Sequence, residues 1–111
     1  VYGPGEAESR LWPSLKKAAE NGKDFLMTKG EQVRDFIHVD EVVDSLYEYC
    51  LHNKVIAGKP LIRNLGTGQP MSILEFSLLW WEKWNAIGNL KVGALPYREN
   101  EVMRYIPEIN E

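Results

Sequence analysis

The segment Ser72–Ile87 constrains the fold most. Ser72 is followed three residues later by Glu75, the pairing of a capping box. The helix it opens carries Ile73, Phe76, Trp80, Trp84 and Ile87 on one stripe, with Leu74, Leu78 and Trp81 beside it. So wide an apolar face predicts heavy burial, and the chain must build a core around it. Trp80, Trp81 and Trp84 could form a carbohydrate-stacking platform, but their helical spacing reads as core or interface packing. Gly88-Asn89 stops the helix.

The partners for that helix come from elements before and after it. Leu11, Leu15, Ala18 and Ala19 predict a first helix starting near Trp12, where Pro13 is tolerated in the first turn, and stopping at Asn21-Gly22. Phe25–Thr28 suits a strand, and Lys29-Gly30-Glu31 turns the chain. Arg34–Val39 reads as a second extended segment. Asp40 is a natural N-cap for a helix carrying Val42, Val43, Leu46, Tyr47 and Cys50, which ends near His52-Asn53. Gly58-Lys59-Pro60 breaks the chain before a strand at Leu61–Leu65 and a turn at Gly66-Thr67-Gly68. Lys91–Ala94 reads as a short strand, Leu95–Arg98 as a loop, and the tail starts with a helical turn before Pro107. The order α, β, β, α, β, α, β places the chain in the α/β or α+β class.

Composition narrows the function classes. The 111 residues suit one domain or part of one, and 44% apolar with 26% charged residues argues against disorder. A net charge of −3 argues against a general nucleic-acid or anionic-membrane surface. One cysteine, Cys50, excludes an internal disulfide framework and a Cys-rich zinc site. No apolar run approaches the roughly 20 residues of a membrane span. No signal peptide is visible, which favours the cytoplasm. The chain lacks an initiator Met, as expected of a segment cut from something longer.

No catalytic constellation assembles from spacing alone. His38 and His52 fall on different predicted elements, and there is neither a GxSxG elbow nor a P-loop. Gly66-Thr67-Gly68 lies between a strand and a helix but has Met71 where a dinucleotide fingerprint needs its third glycine, so it reads as a tight turn. Arg34 and Arg98 remain. Arginine forks suit phosphate oxygens, and two on loops could straddle a diphosphate; ordinary surface ion pairs, such as Arg34 with Asp35 or Asp40, are the alternative.

The residues from Gly30 to Val43, GEQVRDFIHVDEVV, resemble the G-x-Q-x-R-D-F-I-H-V-D-D-V-V stretch of NAD-dependent nucleotide-sugar epimerases and dehydratases, the extended short-chain dehydrogenases/reductases. Val1-Tyr2-Gly3-Pro4 resembles that family's V-Y-G-P motif. Asn64–Gly68 with Ser72-Ile73 and Glu75 resembles its N-x-G-x-G-x-x-x-S-I-x-E segment, and Leu95–Met103 resembles its late Arg-containing motif. The Tyr-Arg-x-Asn-Glu form of that last motif is most similar to members acting on 6-deoxyhexose nucleotides as 4-reductases or epimerases. Two departures stand out: Thr28 where the family often has Gly, and Asn100-Glu101 where it often has Gly-Asp.

The resemblance implies the C-terminal, substrate-binding part of an extended Rossmann-type enzyme, a single domain over residues 1–111. The Gly-rich cofactor turn and the Tyr-x-x-x-Lys catalytic pair of the family's other half do not occur in this chain. NAD or NADP is expected in the intact enzyme, where a Tyr takes a sugar hydroxyl proton as hydride leaves, and none is expected on this chain. The chain alone is expected to be inactive, with no catalytic residue and no metal site of its own. By resemblance, Arg34 and Arg98 hold the diphosphate of a nucleoside-diphosphate sugar. Phe25, Leu26 and Met27 lie where the family cradles the base, with Met27 the side-chain contact; a core Met is the alternative. The missing Rossmann half is the expected partner, and self-association is expected because helices of the intact fold would expose apolar surface. The competing functions are a non-catalytic assembly module derived from the family, or part of a nucleotide-deoxysugar 4-reductase.

Overall fold

The computed structural model describes residues 1–52, 58 and 64–108. Among the described residues, three helices and five two-residue strands follow one another: α1 (Leu11–Glu20), β1 (Phe25–Leu26), β2 (Val33–Arg34), α2 (Val39–His52), β3 (Met71–Ser72), α3 (Ile73–Lys83), β4 (Leu90–Lys91) and β5 (Arg104–Tyr105). The predicted strand at Leu61–Leu65 and the break at Gly58-Lys59-Pro60 fall largely outside the described residues.

Both packed helices end by the same device. In α1, the Lys23 N–H reaches back to the Ala18 carbonyl at 2.9 Å and the Gly22 N–H to Ala19 at 3.3 Å, satisfying carbonyls the last turn leaves open. In α3, Asn85 takes the left-handed conformation at φ 50°, and the N–H groups of Asn85 and Ala86 bond Glu82 and Trp81 at 3.0 and 3.2 Å. That early stop overturns the expected end at Gly88-Asn89. Ile87 therefore lies beyond the helix and is 87% exposed, not on the buried stripe. The start of α3 follows the sequence: the Ser72 side chain accepts from the Glu75 N–H, and the Glu75 carboxylate accepts from the Ser72 N–H, both at 3.1 Å.

The core lies between α1 and α3. Trp12, Leu15, Phe76 and Trp81 are buried there. Aromatic rings tile the seam: Trp12 meets Trp80 edge-on at 5.7 Å, Tyr2 meets Phe76 at 4.9 Å, and Phe36 stacks on Phe76 at 4.0 Å. The indoles of α3 are thus packing residues, as their spacing predicts.

Two small sheets brace this seam. β1 pairs in parallel with β4, Phe25 opposite Leu90. β2 is the middle strand of the order β3-β2-β5, antiparallel to β3 and parallel to β5. β5 corrects the expected helical turn before Pro107: the Val33 N–H donates to the Met103 carbonyl at 2.7 Å and draws the tail into the sheet. The extended Arg34–Val39 segment is also corrected. Only Val33–Arg34 forms ladder, and His38 makes an isolated bridge to Tyr2.

The cap of α2 is His38, not Asp40. The His38 Nδ1 accepts the Asp40 N–H at 3.1 Å, and its carbonyl accepts the Glu41 N–H at 3.0 Å, so Asp40 already lies inside the helix. An imidazole nitrogen does here what an Asp oxygen was expected to do. No residue of α2 is buried, and Val43, Leu46, Tyr47 and Leu51 are all exposed. The chain measures 52 × 30 × 21 Å with a radius of gyration of 16.9 Å. A compact domain of this length would have about 13 Å.

Candidate functional site

A cavity of about 510 Å³ opens where the first residues, the start of α1, the exit of β2 and the tail converge. Tyr2, Trp12, Phe36, Phe76 and Tyr105 give it aromatic walls, and Arg10, Arg34, Glu6 and Asp35 bring charge to it. The mixture of apolar wall and a few convergent charges is that of a small-molecule site. Arg10 is engaged by Glu6 at 3.5 Å, four residues earlier.

Arg34 reaches this wall because it lies at the end of the central strand. Its Nη1 donates to the Val33 carbonyl at 2.9 Å and its Nη2 to the Val102 carbonyl at 2.6 Å. A guanidinium has five N–H donors, so among the described residues three are left to a ligand while two fix the plane of the fork. No carboxylate of the described residues pairs with Arg34. Asp35 turns to the Thr67 loop, and Asp40 lies 3.6 Å from His38, so neither makes the ion pair the sequence left open.

Arg98 does not line the cavity; its side chain is exposed. It begins a turn closed by the Glu101 N–H bonding the Arg98 carbonyl at 3.2 Å. That turn lies directly before Val102, the residue that Arg34 holds. Both sides of the turn are tied to the approach to β2. The Tyr97 hydroxyl accepts the Glu31 N–H at 3.1 Å and donates to the Glu31 carboxylate at 2.9 Å. The Gln32 amide donates to Glu101 at 2.7 Å. The two arginines therefore sit on neighbouring segments of one hydrogen-bonded strip, but only Arg34 faces the cavity.

Phe25, Leu26 and Met27 lie apart from that wall, on the edge formed with β4. Leu26 is exposed and Phe25 half-buried, whereas Met27 is 4% exposed and packs beneath Gly30. In this structure Met27 is a core residue, the alternative its sequence context left open, and Leu26 is the apolar side chain of the run that faces solvent.

The sequence offered Asp35 only as an ion-pair partner for Arg34; its contacts with the Thr67 turn were not foreseen. Its carboxylate accepts the Thr67 N–H at 2.9 Å and the Gly68 N–H at 3.0 Å, and the Thr67 hydroxyl as well. Burial alone would raise its pKa; the hydrogen bonds from Thr67 and Gly68 outweigh that and hold it below the ordinary 3.8. Gly66-Thr67-Gly68 is thereby a turn organised around a protein carboxylate. Its Thr67 and Gly68 amides are committed to Asp35, so this turn does not fit the pyrophosphate of a nicotinamide dinucleotide.

Among the described residues, two titratable groups beside the cavity, Tyr2 and His38, are not set up as a general base. Burial first, and then the Glu41 carboxylate, raise Tyr2 above 10, the wrong direction for a tyrosine that must lose its proton near neutrality. His38 is occupied as a cap, with its ring edge-on to Tyr2 at 5.2 Å. Among the described residues, no group of three His, Cys, Asp or Glu side chains could hold a metal ion. No helix of the described residues is long and apolar enough to cross a membrane.

Comparison with known proteins agrees with the motifs. The family model described as NAD dependent epimerase/dehydratase family matches residues 1–66. CDP-abequose synthase of Salmonella typhimurium is 33% identical over 107 residues, covering 93% of this chain and 35% of that protein. CDP-abequose synthase of Salmonella muenchen is 29% identical over 103 residues, covering 93% of this chain and 34% of that protein. ADP-L-glycero-D-manno-heptose-6-epimerase of Fusobacterium nucleatum is 38% identical over 90 residues, covering 70% of this chain and 26% of that protein. The chain thus spans between about a quarter and a third of the length of these relatives. No solved structure gives a significant match.

Proposed function

This chain belongs to the NAD-dependent epimerase/dehydratase family, and from that premise we propose that it grips the diphosphate of a nucleoside-diphosphate sugar on behalf of a larger enzyme. The observation that carries this reading is the Arg34 fork: two backbone carbonyls hold it in the wall of a ring-lined cavity, with N–H donors to spare. Such a fork suits phosphate oxygens that a flexible ammonium would hold only as a point charge. Arg98, on the adjoining turn, supplies the second cation, and the exposed Leu26 the apolar contact to the base. The relatives support this substrate class, since CDP-abequose and ADP-heptose are both nucleoside-diphosphate sugars by name. The reaction outcome, whether epimerisation, dehydration or 4-reduction, belongs to the enzyme as a whole. This chain's share is binding energy drawn from the part of the substrate remote from the reacting carbon, which orients the sugar.

The test is a titration of the chain with CDP and with ADP, followed by tryptophan fluorescence, because Trp12 lines the cavity. Charge-assisted hydrogen bonds contribute about 1.5–3 kcal/mol each. Arg34→Ala is therefore expected to weaken binding about 10- to 150-fold, and Arg34→Lys by less, since charge survives without the fork. Equal affinity of the wild type and Arg34→Ala for both nucleotides refutes the reading.

A further inference from the structure

Four side chains have no role in the site as described, yet they meet at one place. Glu31 and Gln32 precede the central strand; Tyr97 and Glu101 flank the Arg98 turn. Tyr97 and Glu31 make a reciprocal pair, each giving one hydrogen bond and taking one, at 3.1 and 2.9 Å. Gln32 is 3% exposed, and its single bond, to Glu101 at 2.7 Å, crosses from a buried side chain to a half-buried one. A buried amide left without that partner would be costly, so this tie is hard to break.

The chain order gives these ties their meaning. Tyr97 immediately precedes Arg98. Glu101 closes the turn that Arg98 opens, and Arg34 holds the next carbonyl, Val102. Glu31 and Gln32 stand three and two residues before Arg34. An exposed arginine on an untied turn would have to be ordered by its ligand, at an entropic cost. Here the turn is tied before and after the arginine to the strand that carries the other one.

We propose that the Tyr97–Glu31 and Gln32–Glu101 pairs form a latch that positions Arg98 against Arg34, making Tyr97 and Glu101 positioning residues for diphosphate binding. This inference rests on the diphosphate reading given above. Tyr97 is suited to the task because its hydroxyl accepts from the Glu31 N–H and donates to the Glu31 carboxylate at once; burial first, then the Glu31 carboxylate and the Glu101 charge, raise its pKa against the lowering by that N–H.

A double-mutant cycle tests the latch. The intact chain is titrated with CDP as Tyr97→Phe, Glu101→Ala and Glu101→Gln, each alone and combined with Arg98→Ala, and each variant's thermal midpoint is recorded. With Arg98 present, Tyr97→Phe and Glu101→Ala are each expected to weaken binding about five-fold. Glu101→Gln, which keeps an oxygen to accept from Gln32, is expected to restore wild-type affinity. With Arg98→Ala in place, the same changes are expected to have less than about a two-fold effect, because nothing remains to position. Equal losses in both backgrounds overturn the latch, as does a Glu101→Gln variant no better than Glu101→Ala. If Arg34→Ala and Arg98→Ala themselves leave CDP affinity unchanged, the diphosphate reading fails instead, and the latch with it. The Arg98→Ala single variant tells the two failures apart.

Discussion

Gly30 is a position where one added methyl group should be costly on two counts, backbone and packing. It has φ +69°, and a Cβ placed there would lie 2.8 Å from the Leu74 backbone nitrogen, 2.8 Å from the Met27 Cε and 2.9 Å from the Leu74 Cβ. The Met27 methyl ends a flexible chain, but the Leu74 nitrogen cannot yield: its N–H donates to the Gly30 carbonyl at 3.0 Å. Gly22 is the internal control, with φ +65° and nothing within 4 Å of the point where an alanine methyl would stand. Gly22→Ala therefore bears only the left-handed backbone strain, about 1–2 kcal/mol. Gly30→Ala bears that strain plus overpacking of about 1–3 kcal/mol. The unfolded-state benefit of losing a glycine is common to both and cancels in the comparison. Urea unfolding of the two variants side by side should show Gly30→Ala less stable than Gly22→Ala by about 1–3 kcal/mol, at unchanged m-value. Equal midpoints would mean that the turn before β2 and the start of α3 are not in close contact at Gly30.

Two further expectations concern Asp35 and α2. The folded-state pKa of Asp35 is depressed, so its stabilisation is fully present above the ordinary 3.8 and is lost as pH falls below that value. Asp35→Asn should lower the melting temperature at pH 7, with the gap to wild type narrowing as the pH is taken progressively below 3.8; a gap that stays the same size throughout counts against the Thr67 clamp. The exposed Val43, Leu46, Tyr47 and Leu51 on α2 make self-association of this chain our expectation. Sedimentation velocity should show concentration-dependent growth that Leu46→Glu suppresses, and a wild type that stays monomeric at high concentration removes that idea.

Local signals were legible where they were self-contained. The capping box at Ser72 and Glu75, the stop at Gly22 and the tiling of the α3 indoles all arise within one or two turns of chain, and the structure has each of them. The end of α3 was missed because Asn85 adopts a backbone conformation that glycine was expected to supply at Gly88. The cap of α2 was missed because histidine seldom takes that role, and here its ring is fixed by Tyr2 as well. β3 and β5 were missed because two-residue strands have no period to detect, and what defines them is their pairing with β2.

The site divides along the same line. The place of Arg34 at the end of the central strand was legible because its motif runs unbroken through that strand. What holds Arg34 and Arg98 in relation to each other was not legible, because the ties run from Glu31 to Tyr97 and from Gln32 to Glu101, across 66 and 69 residues of chain. No local pattern encodes a contact of that length. Glu101 keeps its backbone bond to Arg98, and its carboxylate accepts from Gln32, which ties the turn to the approach to β2. On the proposed latch, a chain that changed Glu101 to a residue without an acceptor would keep Arg98 in its sequence and lose its placement.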